Sequence, residues 1–220
     1  MCGINGAFFY DSPPDPAMLH QIISRCADRG EASCGVVSLR ADHTFYQARV
    51  LGGPAGLPAD FLPPDATIVI NNNRAEPTTE WVEHKTLADV QPFQSGRIAV
   101  SHNGIIANDH ELRARFALNP ATSIDTAVLP PLIEQLGVRA ALALVQGSLA
   151  VAIIDAAAGC LHLYRSFLPL TVAWSPGRYY FSSEAKNLPP HLLGDPFRAE
   201  TLPPYSGVTI EGSGRLLRWT

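Results

Sequence analysis

The stretch Ala66-Thr67-Ile68-Val69-Ile70 runs straight into Asn71-Asn72-Asn73-Arg74. Its near-continuous apolar run predicts a strand buried on both faces, because a half-exposed strand would alternate with polar residues. Such a strand forces covering layers on both sides of its sheet. Residues 97–101 read the same way and run into His102-Asn103-Gly104. Both strands are expected to end at these polar clusters.

The rest of the chain is read from its periodicities. Residues 4–10 are apolar and aromatic, a strand. Leu19, Ile22, Ile23 and Cys26 fall at i, i+3, i+4 and i+7, so residues 17–27 are predicted to be helical. Residues 34–39 and 44–50 make a hairpin, and the Pro- and Gly-rich residues 52–65 a loop. A short helix is expected at 110–116. Leu129, Leu132, Ile133 and Leu136 predict another, started or kinked by Pro130-Pro131 and continuing through 138–145. Strands then follow at 149–155, 160–165, 171–174, 178–182, 208–210 and 216–219. Two strand-rich blocks flank a helical middle, without the βαβ alternation of a parallel sheet. Two facing sheets with helices outside both bury all of these apolar faces.

Composition narrows the function. The 220 residues are 46% hydrophobic with a formal net charge of −4, which gives no reason to expect nucleic acid or an anionic membrane as partner. The longest apolar run, near residues 149–158, is too short to span a bilayer. No basic segment precedes an apolar one at the start, so no signal peptide is expected. Cys2, Cys26, Cys34 and Cys160 lack metal-ligand spacing. No metal site is expected, and reduced thiols in a cytoplasm fit best.

Met1-Cys2-Gly3-Ile4 places a thiol where removal of Met1 would make it N-terminal. Such a residue carries nucleophile and base together: the thiol attacks a carbonyl and the α-amine takes its proton. The α-amine titrates near pH 8 and the thiol near about 8.5, so modest local help is expected to give thiolate. His102-Asn103-Gly104-Ile105 adds a second component. An Asn amide and the N–H of a following Gly make a two-donor oxyanion hole; a plain Asn-Gly turn is the alternative.

Taken together, these segments resemble the class II glutamine amidotransferases, which are N-terminal-nucleophile hydrolases. The likeness covers nearly the whole chain: Met1 to Ile4; Arg29-Gly30 with Ser33 and Gly35; the strand end at Arg74; His102 to Ile105 with Asn108; Ser123-Ile124-Asp125-Thr126; Arg165 with Pro169-Leu170; and Phe181-Ser182-Ser183-Glu184. It implies an α+β, four-layer αββα sandwich of two mainly antiparallel sheets. It also implies that residues 1–220 form a single glutaminase domain lacking an acceptor domain. By the same likeness, Cys2 is the nucleophile, Asn103 and Gly104 hold the oxyanion, and Arg74 and Asp125 bind the α-carboxylate and α-ammonium of glutamine. Arg29 is expected to brace the Cys2 strand. The sequence departs from the family at Asn71-Asn72-Asn73, where the pattern before the Arg has Gly-His, and at Ala32, where it has an acidic residue.

No Gly-rich phosphate loop is present, since Gly52-Gly53 and Gly212-Ser213-Gly214 have the wrong spacing. No cofactor is expected, and a separate ATP-dependent synthetase chain is expected to receive the ammonia. A stand-alone γ-glutamyl amide hydrolase and a non-catalytic regulatory domain of the same fold are the alternatives. Residues 75–95, with Pro77 and Trp81, read as a lid. Residues 52–65, with Phe61 exposed, read as a docking surface; the alternative is that Phe61 and Trp81 pack onto the body of the domain.

Overall fold

The computed structural model describes residues 2–75 and 85–220. Strand β1 (Gly3–Phe9) lies inside a seven-stranded sheet, between β4 (Ala66–Arg74) and β10 (Arg178–Ser182). The sheet continues through β2 (Ser33–Arg40) and β3 (Phe45–Leu51) on one side. On the other lie β9 (Thr171–Ser175) and β11 (Arg198–Thr201). A six-stranded sheet faces it, in the order β13 (Leu216–Trp219), β12 (Ser206–Ile210), β8 (Cys160–Arg165), β7 (Gly147–Asp155), β6 (Ile98–Ile106) and β5 (Phe93–Ser95). Neighbouring strands are antiparallel throughout.

Alternation along each strand sorts side chains into three cores. Ile4, Phe8, Ile68 and Ile70 meet Ala150, Ala152, Leu161 and Leu163 between the sheets. Ala7, Phe9 and Val69 face Leu19, Ile22 and Ile23 of α1 (Pro16–Arg25). Ile98, Val100 and Val151 face Leu112 of α2 (Asp109–Phe116) and Leu132 and Ile133 of α3 (Leu129–Leu136), while Leu142 of α4 (Val138–Leu144) completes that layer. The result is the αββα sandwich implied by the family resemblance.

Several local expectations are corrected. Both strands run further than the expected 66–71 and 97–101: β4 continues through its polar cluster to Arg74, and β6 continues past His102-Asn103-Gly104 to Ile106. Asn72 pairs with both Ile4 and Gly35, and His102 pairs with Val151. The backbone ladder runs on because its hydrogen bonds do not depend on side-chain polarity. The long helix is broken at Gly137, whose φ of 79° lies outside the right-handed helical region. Strands β5 and β11 went unread. Both are short edge strands, and β11 is mostly exposed, so neither has an apolar pattern to betray it.

Phe61 is only 4% exposed and packs beside His20 and with Leu62 in the α1 core. The loop's apolar side chains cover the sandwich, so the expected exposed anchor at Phe61 does not exist. Pro77 and Trp81 lie outside the described residues. The part of the expected lid that is described includes a short 3-10 turn, Leu87–Asp89, capped by Thr86.

Candidate active site

Cys2 stands at the head of β1, and its neighbours are held from both sides. Arg29 Nε donates to the Cys2 carbonyl oxygen at 3.0 Å, and the same guanidinium is paired with Glu184. The Ile4 N–H donates to Ser183 Oγ at 2.8 Å, and the Ser183 N–H returns a bond to the Ile4 carbonyl at 2.8 Å. Thus Arg29, Ser183 and Glu184 together fix the entry to β1, as expected for Arg29. Gly3 lets the 3-10 turn Cys26–Arg29 approach: a Cβ there would meet the Cys26 carbonyl oxygen at 3.1 Å.

The thiol environment differs from the expectation. Burial pushes the Cys2 thiol up. The Ala75 N–H bonded to it and the charge of Arg74 pull the other way without prevailing, and Asp125 adds to the rise. Burial therefore disfavours the thiolate here, where modest local help was expected to favour it. Gly3 pairs with Asn73, so Cys2 and Arg74 lie at neighbouring strand ends, and the charge of Asp125 reaches the same sulfur.

Arg74 is 5% exposed, and its Nη1 donates to the Asp89 carbonyl at 3.2 Å. Asp89 also accepts from Thr86 and, at 2.5 Å, from the Thr122 hydroxyl. Burial opposes ionisation of Asp89, but the Thr122 and Thr86 hydrogen bonds and the Arg74 charge prevail and hold its carboxyl low. Arg113 ties the same loop from α2, donating to the carbonyls of Thr122 at 3.2 Å and Ile124 at 3.0 Å. A small cleft lies between Ser33, Arg74, Thr86, Asp89 and Ile124. Asp125 opens the 3-10 turn Asp125–Val128 and accepts the Ile106 N–H at 2.8 Å. Thr126 donates to it through both its N–H and its hydroxyl.

Asn103 is fully buried, on the face of β6 that turns toward the other sheet, two residues on from Ser101. Neither its amide nitrogen nor its amide oxygen has a hydrogen-bond partner among the described residues. A buried polar group left unpaired costs about 1–3 kcal/mol, so the Asn103 amide needs an explanation, and a ligand in the site would supply one. Gly104 has φ +136°, and a Cβ there would lie 1.8 Å from the Ser148 carbonyl oxygen. Only glycine fits. His102 faces the helical layer, with Nδ1 2.7 Å from the Thr126 hydroxyl. That hydroxyl donates onward to Asp125 at 3.0 Å, so it accepts from an Nδ1–H. Burial holds the ring below its ordinary pKa, hence neutral. Strand β6 and the Asp125 turn are thereby one unit.

Sequence reasoning missed Asp89, Gln91 and Arg113: Asp89 accepts from Arg74, Gln91 accepts the His102 N–H, and Arg113 donates to the Thr122 and Ile124 carbonyls, and none of the three carries a motif of its own. Thr126 was visible as the last residue of Ser123-Ile124-Asp125-Thr126, although its link to His102 was not.

Two facing antiparallel sheets between helical layers, with a cysteine at the head of an inner strand, define the N-terminal-nucleophile hydrolase fold. The glutamine amidotransferase domain family matches residues 80–190, half of the chain. The chain belongs to that family and carries a class II glutamine amidotransferase domain. The 7-cyano-7-deazaguanine synthase of Saccharolobus solfataricus is 35% identical over 96% of this chain and 48% of its own length. The 7-cyano-7-deazaguanine synthase 2 of Sulfurisphaera tokodaii is 42% identical over 53% of this chain and 26% of its own. The chain thus spans at most about half the length of these relatives. The structure of glutamine phosphoribosylpyrophosphate amidotransferase from B. subtilis superposes with a TM-score of 0.78 at 19% identity, covering 99% of this chain and 49% of the other. That likeness speaks for the fold alone.

Proposed function

We propose that this chain hydrolyses the side-chain amide of glutamine and passes the ammonia to an ATP-dependent synthetase. In this reading residues 1–220 act as one glutaminase domain in the cytoplasm, where its four free thiols stay reduced, and the synthetase is a separate chain. The observation that carries the proposal is that Cys2 and Arg74 lie at neighbouring ends of β1 and β4, that the Asp125 charge reaches the same thiol, and that the buried Asn103 amide has no partner among the described residues.

The chemistry follows from those groups. Arg74 and Asp125 hold the α-carboxylate and α-ammonium of glutamine through opposite charges. The Cys2 sulfur attacks the amide carbon while its α-amine, freed by removal of Met1, takes the thiol proton. Asn103 Nδ2 and the Gly104 N–H receive the oxyanion. The α-amine returns the proton to the departing nitrogen, which leaves as ammonia, and water cleaves the γ-glutamyl thioester to glutamate. A base on the same residue as the nucleophile suits a thiol whose burial disfavours the thiolate.

The two relatives named above carry the name of a synthase whose product bears a cyano group. A nitrile nitrogen needs a nitrogen donor, so we assign the ammonia to amination or nitrile formation on a deazapurine-like acceptor. The test is glutamate and ammonia release from glutamine by the purified chain, alone and with such a synthetase. Loss of both in Cys2→Ala is the expected result. Release that survives Cys2→Ala overturns the mechanism. Cleavage of a larger γ-glutamyl amide, with glutamine ignored, replaces it with the stand-alone hydrolase.

A further inference from the structure

Strand β5 pairs with β6 only at Ile98, Ala99 and Val100. Two residues later, at His102, no strand pairs with β6 on that side among the described residues, just before the segment that holds Asn103 and Gly104. Two buried side chains fill the gap. Gln91 Oε1 accepts the His102 N–H at 2.9 Å, and Asn72 Nδ2 donates to the His102 carbonyl at 2.9 Å. The Asn72 amide also lies 3.4 Å from Gln91 Oε1 and 3.3 Å from Ser101 Oγ, and that hydroxyl donates to the Asn71 carbonyl at 2.8 Å. Asn72 and Gln91 are 1% and 4% exposed. Water therefore cannot replace these bonds cheaply.

Asn72 sits on β4, two residues before Arg74 and on the same face, and is paired with Ile4 of β1. Its amide thus spans from the sheet that carries Cys2 and Arg74 to the strand that carries Asn103 and Gly104. We propose that Asn72 and Gln91 form a brace across the two sheets that sets the position of the Asn103–Gly104 donors relative to Cys2. Asn72 stands where the family pattern has His, and in this chain its amide reaches the His102 carbonyl. The Asn72 Oδ1 has no partner among the described residues, so the amide is oriented by what its nitrogen donates to. Both are positioning residues; neither touches glutamine.

This inference rests on the glutaminase reading for its kinetic consequence but not for its structural one, and two measurements separate them. The first is steady-state glutamine hydrolysis by Asn72→Ala, Gln91→Leu and Asn72→His. A misplacement near 1 Å at reacting groups costs roughly 10²-fold, so Asn72→Ala and Gln91→Leu are expected to lose about that factor in kcat with KM kept within about twofold. Asn72→His, which restores a donor, is expected to regain most of it. The second is amide hydrogen exchange by mass spectrometry on wild type and Asn72→Ala. Exchange is expected to rise in peptides covering residues 101–106 and to stay unchanged in peptides covering 147–155. A kcat within twofold of wild type in Asn72→Ala, an equal rise in KM, no recovery in Asn72→His, or unchanged exchange at 101–106 overturns the brace. If Asn72→Ala does not fold, Gln91→Leu decides by the same criteria. If the wild type does not hydrolyse glutamine, the functional reading falls while the exchange result still decides the brace.

Discussion

Arg29 Nε donates to the carbonyl oxygen of Cys2 at 3.0 Å, from a guanidinium whose other side is paired with Glu184. The nucleophile is therefore held through its own backbone, by a cation anchored on the segment after β10. Arg29→Ala is expected to lower kcat by at least about tenfold, the scale of misplaced reacting groups. KM for glutamine should hold, because Arg29 contacts no substrate in the proposed mechanism. Steady-state kinetics check it, and a rise in KM without loss of kcat would put Arg29 in the substrate site instead.

The proposed mechanism uses the free α-amine of Cys2 as its base, a role a peptide-bonded nitrogen cannot fill. Active protein is expected to have lost Met1, which intact-mass measurement reads directly. The electrophile 6-diazo-5-oxo-norleucine should label Cys2 and spare Cys26, Cys34 and Cys160. Burial pushes all three of those thiols up, Cys34 and Cys160 to about 12, so they remain protonated and inert. Peptide mapping that finds the label elsewhere rejects the assignment.

Arg74 and Asn103 should fail differently. Arg74 would meet the α-carboxylate in ground and transition state alike, so Arg74→Ala is expected to raise KM more than it lowers kcat. Asn103 would meet charge only in the transition state, so Asn103→Ala should lose roughly 10²–10³ in kcat and, having no partner among the described residues to abandon, little stability. Gly104→Ala should do both kinds of harm. Its Cβ would sit 1.8 Å from the Ser148 carbonyl oxygen, and the strain at its φ is worth roughly 1–3 kcal/mol by itself. Thermal melts alongside kinetics separate the three, and a common pattern for Arg74→Ala and Asn103→Ala would mean the roles are misassigned.

What the sequence disclosed, and what it hid, follows from how far each signal reaches along the chain. Leu19, Ile22, Ile23 and the run 66–70 are local patterns set by burial, so the helix and the central strand were readable. Cys2, Arg74, Asn103 and Asp125 were readable through motifs and the family likeness, although four separate segments supply them. The extension of β4 through Asn71–Asn73 was not, because three asparagines disfavour a strand locally and are overruled by β1 and β2 on either side. Asn71 and Asn73 are satisfied only across the fold, at the carbonyls of Gly35 and Ile23, 2.9 and 2.7 Å away. Phe61 misled for a related reason: a Pro- and Gly-rich loop looks like surface until α1 is seen to need a cover.

Two buried histidines predict the acid limit of stability. Burial lowers His102, and lowers His162 to about 4. Each binds a proton more readily unfolded, near pH 6.5, than folded. Their contribution is complete above about 6.5 and is lost as pH falls from there toward about 4. The melting temperature should therefore fall over that interval, and His162→Gln, which keeps a polar group near Thr209 without the titration, should flatten the slope. An unchanged slope in His162→Gln would mean that carboxylates dominate acid unfolding.

Coupling to the synthetase is the remaining prediction, and the turn that holds Arg74 is where it should register. Arg74 is anchored to the carbonyl of Asp89, and Asp89 is tied to Thr122 in the loop that leads to Asp125. Both proposed glutamine clamps therefore meet at one short turn, Leu87–Asp89, which lies on the described part of the expected lid. A partner that shifts this turn changes both clamps together. The lone chain is expected to be a slow glutaminase, well under the median enzyme turnover of about 10 per second. The loaded synthetase should raise kcat/KM by at least about tenfold. Thr122→Val removes the tie to Asp89 while leaving Arg74 and Asp125 in place, and should weaken this stimulation more than it weakens the basal rate. Ammonia release with and without the partner measures both quantities. A lone chain that already turns over tens of glutamines per second, or a Thr122→Val variant stimulated as fully as wild type, would remove this turn from the coupling path.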